Sequence, residues 1–374
     1  VTTILMALVL GVYMVQVLAG GADNWTLVRL GANFVAASLS GEPWRLVAGT
    51  FLHGGWLHLV VNLYGLLVLG RFTERLYGPA RLTVIYLLAG IAGSLASAVW
   101  GEPWRLSVGA SGAIFGLLGA ALMGMLRLRG LVPERQRKRV MLSLLFVTAI
   151  NLAFGLSVPQ VDNAAHVGGL AGGALVAFLL SGRPRRPGAR WPQVAALAAA
   201  ALALACGVLT AVTSVRQTLE RIPQRTARLG PVEARCPVHW ISVPLERGRA
   251  LKDPLPAVPL TLQMEAGALE PGAELAREVQ AVARKWADDL ARQPGVSQVQ
   301  LLERPLLDLA GSGVLVTPIR FRSRGLTLLH LHIFRQQGDQ VAMALVRLPE
   351  RRLDDYRQVL RRLAASLRIA GEAI

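Results

Sequence analysis

A serine set among small residues, Gly109-Ala110-Ser111-Gly112, heads an apolar run that continues Ala113-Ile114-Phe115-Gly116-Leu117-Leu118-Gly119-Ala120. Small neighbours leave its hydroxyl open to an approaching backbone. Peptide hydrolysis by serine needs a nucleophile, a base to take its proton, and donors for the oxyanion that develops. His166, in a second Gly/Ala-rich apolar segment that includes Gly169 and Gly173, is the candidate base. Neutral imidazole accepts a proton near physiological pH. His58 and Asn62 head a third apolar segment, and at a spacing of four they project from one helix face, as two donors for one oxygen would. Polar groups inside membrane spans are expensive and are functional by default, so the three sets together point to one shared site.

Each set also has a structural reading. Gly112…Gly116 is a small-xxx-small pattern, repeated in Gly169…Gly173, and would let two spans pack closely with Ser111 as one more small residue. His58 and Asn62 could form an interhelical hydrogen-bonded pair. Asp162, one turn before His166, stands where a triad's carboxylate would, but Asp162 or Asn163 reads better as the cap of the helix that follows. His53 lies outside the His58/Asn62 register and reads as a structural loop histidine. His330 and His332 share one strand face, yet two ligands make a weak metal site. No cofactor, metal or phosphate loop is expected.

Positioning such groups takes a membrane bundle. Of 374 residues, 53% are hydrophobic and 17% charged, with a mean hydropathy of +0.44. Apolar spans read as 4–20, 56–70, 82–100, 108–126, 140–158, 164–181 and 192–213. Several fall short of the roughly 20 residues that cross a full bilayer, which tilt, local thinning or a recessed site would accommodate. The first ends Leu18-Ala19-Gly20, as a signal peptide does, but lacks a basic leading region and reads as a transmembrane helix. Trp25, Trp44 and Trp56 mark the following loop as interfacial. Cys206 and Cys236 are too few for a disulfide framework.

The net charge of +17 is distributed for topology rather than for nucleic acid, which is not an expected partner. Arg71, Arg75 and Arg81, then Arg127, Arg129, Arg135, Arg137, Lys138 and Arg139, then Arg183, Arg185, Arg186 and Arg190 follow alternate spans. The intervening segments carry few basic residues. By the positive-inside rule the N-terminus is cytoplasmic and the Ser111 end faces outward. His166 and His58 fall at outward ends too, although neither entered that assignment.

The ordered set Trp44-Arg45, His58…Asn62, Gly109-Ala110-Ser111-Gly112 and Ala165-His166…Gly169…Gly173 resembles the rhomboid family of intramembrane serine proteases over about residues 1–182. A GxSG alone would be weak; the ordered set in separate spans is specific. The resemblance implies a six-helix core, a Ser111–His166 dyad without a third member, and an oxyanion hole of His58, Asn62 and the Ser111 N–H. It implies that Trp44-Arg45 anchors the first loop and that Glu74 tethers helices on the cytoplasmic side. Phe115 departs from members with tyrosine there; it can still pack on His166, without a hydroxyl. The implied substrates are single-pass membrane proteins in the lipid bilayer, cut near the outer face where their helix unwinds. A pseudoprotease that binds membrane clients without cutting is the rival, opposed by the presence of Ser111 and His166. A transporter would show paired charges or inverted repeats, and neither is seen.

After the seventh span the composition turns charged and proline-punctuated. Residues 215–230, with Arg216, Arg221, Arg225 and Arg228 around Pro223, read as an exposed connector. Helices are expected at 273–293 and 353–367, and strands at 298–304, 313–321, 325–335 and 340–348. Arg351, Arg352, Arg357, Arg361 and Arg362 read as a solvated helix face, with anionic lipid headgroups as the sharper alternative. A faint resemblance to PsbP-type periplasmic or lumenal domains carries no function. The expectation is an all-α polytopic membrane protein with a six-helix core at 1–182, a cytoplasmic loop and seventh helix at 183–214, and a soluble α+β domain at 215–374. By helix parity that domain is extracytoplasmic, and the expected location is a bacterial cytoplasmic (inner) membrane.

Overall fold

Where water is excluded a backbone must pair its own polar groups, and the apolar runs of the N-terminal half do so as helices. The computed structural model describes residues 1–101, 105–158, 160–180, 215–245, 249–254, 260–269, 274–303, 306–307, 309 and 313–370. The chain divides into two units, Val1–Thr213 and Ser214–Ile374. The expected seventh span at 192–213 and the arginines at 183–190 lie outside the described residues.

The first unit contains α1 (Thr2–Ala19), α2 (Asn24–Leu30), α3 (Trp56–Tyr77), α4 (Pro79–Trp100), α5 (Ser111–Arg127), α6 (Glu134–Ser157) and α7 (Asn163–Leu180). Among the described residues α3, α4, α6 and α7 are long and apolar enough to cross a membrane, while α1 and α5 are apolar but shorter. Two expected boundaries move. The span at 140–158 begins at Glu134, so Arg135, Arg137, Lys138 and Arg139 lie on the first turns of α6 rather than in the loop before it. The second span does not stop at 70; it runs through a π-turn at Leu66–Gly70 to Tyr77. Nothing in Arg71-Phe-Thr-Glu-Arg-Leu-Tyr77 breaks a helix until Gly78, at φ +83°, so Arg71, Glu74 and Arg75 sit on a helical turn.

Close packing centres on α5. Its Gly112 and Gly116 meet Gly169 and Gly173 of α7 backbone to backbone. A Cβ at Gly169 would lie 2.0 Å from the Gly112 carbonyl oxygen, and one at Gly173 would lie 2.1 Å from that of Gly116. Only glycine permits this approach. By contrast α6 leaves Leu142, Phe146, Ile150 and Phe154 uncovered, an apolar face suited to lipid.

Between α2 and α3 the chain folds back on itself. β1 (Asn33–Phe34) pairs antiparallel with β2 (Leu106–Ser107), just ahead of Ser111. Arg45 is buried here: Nε donates to Glu42 at 2.6 Å, and Nη1 donates to the Val28 and Ala32 carbonyls at 2.7 and 3.2 Å. Its guanidinium also lies 4.5 Å over the Trp44 ring.

The second unit is α+β. It contains α8 (Val215–Arg221), β3 (Gln224–Leu229), β4 (Val232–Pro237), β5 (Ile241–Pro244), β6 (Arg249–Lys252), β7 (Thr261–Ala268), α9 (Leu275–Ala291), β8 (Val296–Leu301), β9 (Val314–Ser323), β10 (Leu326–Gln337), β11 (Gln340–Pro349), α10 (Leu353–Ser366) and β12 (Arg368–Ile369). A seven-stranded sheet runs β5-β6-β7-β11-β10-β9-β8 and a second runs β12-β4-β3. The expected helices and four expected strands are present within a few residues. The exposed connector is not: α8 and β3 occupy 215–229, with Leu219 and Ile222 buried and Arg225 donating to the Trp240 carbonyl at 2.6 Å. β3 pairs residue for residue with β4, whose Val232, Ala234 and Cys236 point inward.

Candidate active site

Ser111 is the first residue of α5, and the first N–H to find a carbonyl one turn back is that of Ile114, on Ala110 at 2.9 Å. The N–H groups of Ser111, Gly112 and Ala113 therefore have no intrahelical acceptor, which makes the spot favourable for negative charge. His166 sits in the first turn of α7, brought close by the glycine contacts between the two helices. Its Nε2 lies 3.0 Å from Ser111 Oγ. Phe115, one turn after Ser111, stacks flat on the imidazole with centroids 4.1 Å apart and planes at 9°. Imidazole Nδ1 is buried with no hydrogen-bond partner among the described residues.

Asp162 does not stand behind that nitrogen. Its Oδ1 accepts from the Ala165 N–H at 3.1 Å and its Oδ2 from Ser97 Oγ at 2.5 Å, so it caps α7 and ties it to α4. Burial works to raise this carboxyl, but hydrogen bonds from Ser107, Ser97 and the Ala165 N–H, with Arg105 nearby, hold it below the usual carboxylate range.

His58 lies across from the serine loop. The Gly54 N–H donates to its Nδ1 at 3.2 Å, which leaves the imidazole proton on Nε2. That edge faces Gly109, held at φ +122°, where a Cβ would come within 2.7 Å of His58 Cε1 and 2.8 Å of Nε2. Asn62, buried on the next turn, behaves differently: its Nδ2 donates to the His58 carbonyl at 2.8 Å, so one amide proton is spent on its own helix. Ser111, His166 and Phe115 are thus brought together, and His58 is set beside Gly109. Asn62 is folded back along α3.

Trp44 and Arg45 sit in the first loop, between α2 and α3. Glu74, on the last turn of α3, accepts from Thr2 N–H at 3.0 Å and Thr2 Oγ at 2.6 Å, joining α1 to α3. The residue that the sequence reading missed is Gln16 of α1. It is fully buried; its Nε2 donates to the His53 carbonyl at 2.6 Å and its Oε1 accepts from the His53 N–H at 3.0 Å. A lone glutamine in an apolar span is the signal that would have found it. The His53 ring lies 5.2 Å from that of His58. Burial, with His58 adding to it, pushes the His53 imidazole down to about 3, so it stays neutral.

Among the described residues no group of three His, Cys, Asp or Glu side chains gathers as a metal site. His330 and His332 pack instead on aromatic rings, Phe321 at 4.7 Å and Trp286 at 4.6 Å.

Comparison with known proteins follows the same residues. The rhomboid domain family model matches residues 40–183. Rhomboid protease AarA of Providencia stuartii is 34% identical over 200 residues, covering 47% of this chain and 71% of that protein. Rhomboid protease GluP of Bacillus subtilis is 40% identical over 168 residues, 45% of this chain and 32% of its own. The mitochondrial RHOMBOID-like protein 6 of Arabidopsis thaliana is 40% identical over 166 residues, 44% of this chain and 53% of its own. The match thus spans about half of that plant protein and about a third of GluP. The solution structure of the cyanobacterial PsbP protein of Synechocystis is similar at 13% identity with a TM-score of 0.32, covering 39% of this chain and 92% of that one.

Proposed function

Because the chain belongs to the rhomboid family and is a multi-pass membrane protein, we propose that it is an intramembrane serine endopeptidase that cuts transmembrane segments near the outer face. The observation that carries the reading is the 3.0 Å approach of His166 Nε2 to Ser111 Oγ, with the imidazole stacked on Phe115.

Ser111 Oγ attacks the scissile carbonyl carbon while His166 Nε2 takes its proton. The charge gathers on the former carbonyl oxygen, beside the free Ser111 N–H and the Nε2–H of His58. The second amide proton of Asn62 is a further donor once the segment is bound. The imidazolium then returns its proton to the leaving amide nitrogen as the C–N bond breaks, leaving an ester on Ser111. Water, deprotonated by His166, hydrolyses that ester and restores the hydroxyl. With no carboxylate behind Nδ1, the ring is oriented by Phe115 rather than by a third member. The substrate helix must unwind locally to offer a carbonyl, since in lipid its backbone is fully paired. Segments with Gly, Pro or small residues near the outer face are therefore the substrates to expect.

The reading includes a topology: a six-helix core of α1 and α3–α7 within 1–182, a cytoplasmic loop and seventh span at 183–214, and the 215–374 domain outside the cytoplasm of a bacterial inner membrane. Support comes from the arginines at 127–139, which follow α5 at the end away from Ser111. The test is incubation of the purified chain in detergent with a panel of transmembrane segments, beside Ser111→Ala. Cleavage by the wild type alone is the expected result. Segments that bind the wild type yet stay intact would favour a non-cleaving client binder instead.

A further inference from the structure

Where the sheet β12-β4-β3 meets the C-terminal end of α10, the second unit holds a cavity of about 410 Å³. Four arginines line it from four elements: Arg235 of β4, Arg335 of β10, Arg362 of α10 and Arg368 of β12. Among the described residues no carboxylate shares the lining. Arg368 is paired with Glu233. The other bonds orient without neutralising: Arg335 Nη1 donates to the Ala365 carbonyl at 2.5 Å, and Arg362 Nη1 to the Glu220 carbonyl at 2.9 Å. Each guanidinium carries five N–H donors, so most of the donors in this concavity remain for something else. Cationic groups gathered in one cleft focus the field and concentrate anions.

The neutral lining narrows the ligand. Gln224 Nε2 donates to the Ile222 carbonyl at 3.4 Å, while its Oε1 is buried without a hydrogen-bond partner. Thr226, exposed on β3 in the same lining, offers a hydroxyl that both donates and accepts, which suits a hydroxyl beside the anion. Guanidinium forks match phosphate oxygens, and forks converging from several sides suit a tetrahedral anion better than a planar carboxylate. The volume, within the usual range of small-molecule sites, admits a polyol beside the phosphate.

We propose that this cavity binds a hydroxyl-bearing phosphate ester of the size of glycerol phosphate, either free or as the headgroup of an anionic phospholipid. The cavity is lined by residues of the second unit and its proposal does not depend on the protease reading.

The test uses the full chain in a neutral detergent. In one arm glycerol 3-phosphate is titrated by calorimetry. In the other, phosphatidylglycerol adducts are counted against phosphatidylcholine adducts by native mass spectrometry. Arg235→Gln removes one exposed cavity charge, and Arg362→Gln, exposed on α10, serves if the first variant fails to fold. Arg351→Gln removes an exposed arginine outside the cavity. Losing one charge-assisted contact should weaken binding about tenfold or more. Glycerol phosphate binding that falls in Arg235→Gln but not in Arg351→Gln supports the site with a free ligand. Loss of phosphatidylglycerol adducts alone in Arg235→Gln supports the headgroup. No difference from wild type in either arm, or an equal loss in Arg351→Gln, overturns the proposal.

Discussion

The side chain of Gln16 closes a two-bond ring on the backbone of His53, donating to its carbonyl at 2.6 Å and accepting from its N–H at 3.0 Å. The residue after His53 is Gly54, whose N–H holds His58 Nδ1 and so keeps the proton on Nε2. Gln16→Leu keeps the apolar bulk of α1 but frees this loop. Small misplacements of a positioned group cost up to about 100-fold in rate. The expected result is a kcat about 10- to 100-fold lower with KM little changed, read on one transmembrane substrate. A lower melting temperature with unaltered kcat would reduce Gln16 to a packing role.

The glycines around Ser111 are not equivalent. A Cβ at Gly109 would strike the His58 ring at 2.7 Å from a backbone at φ +122°, whereas one at Gly112 would meet the Ala165 carbonyl at 3.4 Å, ordinary contact. Gly109→Ala should therefore displace His58, the proposed oxyanion donor, and cost about 10²–10³-fold in kcat, as removal of one such donor does. Gly112→Ala should cost far less. Gly169→Ala, with its Cβ 2.0 Å from the Gly112 carbonyl oxygen, should push α7 from α5 and separate His166 from Ser111. Equal activities for the three variants would contradict the placement of all three.

Arg45 and Glu42 are each at most 3% exposed, and each neutralises the other. Removing one partner of a buried pair typically costs about 3–5 kcal/mol, because the remaining charge has lost its counterion. Arg45→Ala should lower the melting temperature in detergent sharply and cleavage with it. Replacing both residues by apolar ones of similar volume should recover much of the stability. A single substitution with wild-type melting would show the pair to be dispensable.

Much of the site was legible because lipid makes polar residues conspicuous. Ser111, His166, His58 and Asn62 each interrupt an apolar run, and the Asp162 cap follows from its place ahead of α7. Gln16 obeyed the same rule but sat in the span weighed as a signal peptide, with no partner at helical spacing to draw notice. The orientation of Asn62, turned to the His58 carbonyl, is a rotamer choice that spacing does not encode. In the second unit β10 and β11 announced themselves through alternating apolar residues. β3 and β4 did not: β3 carries Arg225 and Arg228 and read as part of the connector at 215–230, and the inward positions of Val232-Glu-Ala-Arg-Cys236 are too small to mark β4 as a strand. Tertiary cover, not local propensity, makes them strands.

The second unit should lose stability in acid through His330 and His332. Burial, aided by Arg347 on β11 and by His332, pushes the His330 imidazole down to about 3; burial pushes His332 down to about 4, against a hydrogen bond to the Thr317 backbone. An unfolded histidine titrates near 6.5. Between that value and about 4 the unfolded chain holds protons that the folded one refuses, so unfolding becomes easier as pH falls. The stability tied to these rings is fully present above about pH 6.5 and is lost progressively below it. Hydrogen-exchange protection of the β10 backbone in the full chain, corrected for intrinsic rate, should fall from pH 7 to pH 4. His332→Phe, an aromatic that keeps the contact with Trp286 without a titrating nitrogen, should flatten that slope. Protection that is level with pH in the wild type, or an unchanged slope in His332→Phe, would show that these histidines do not set the acid limit.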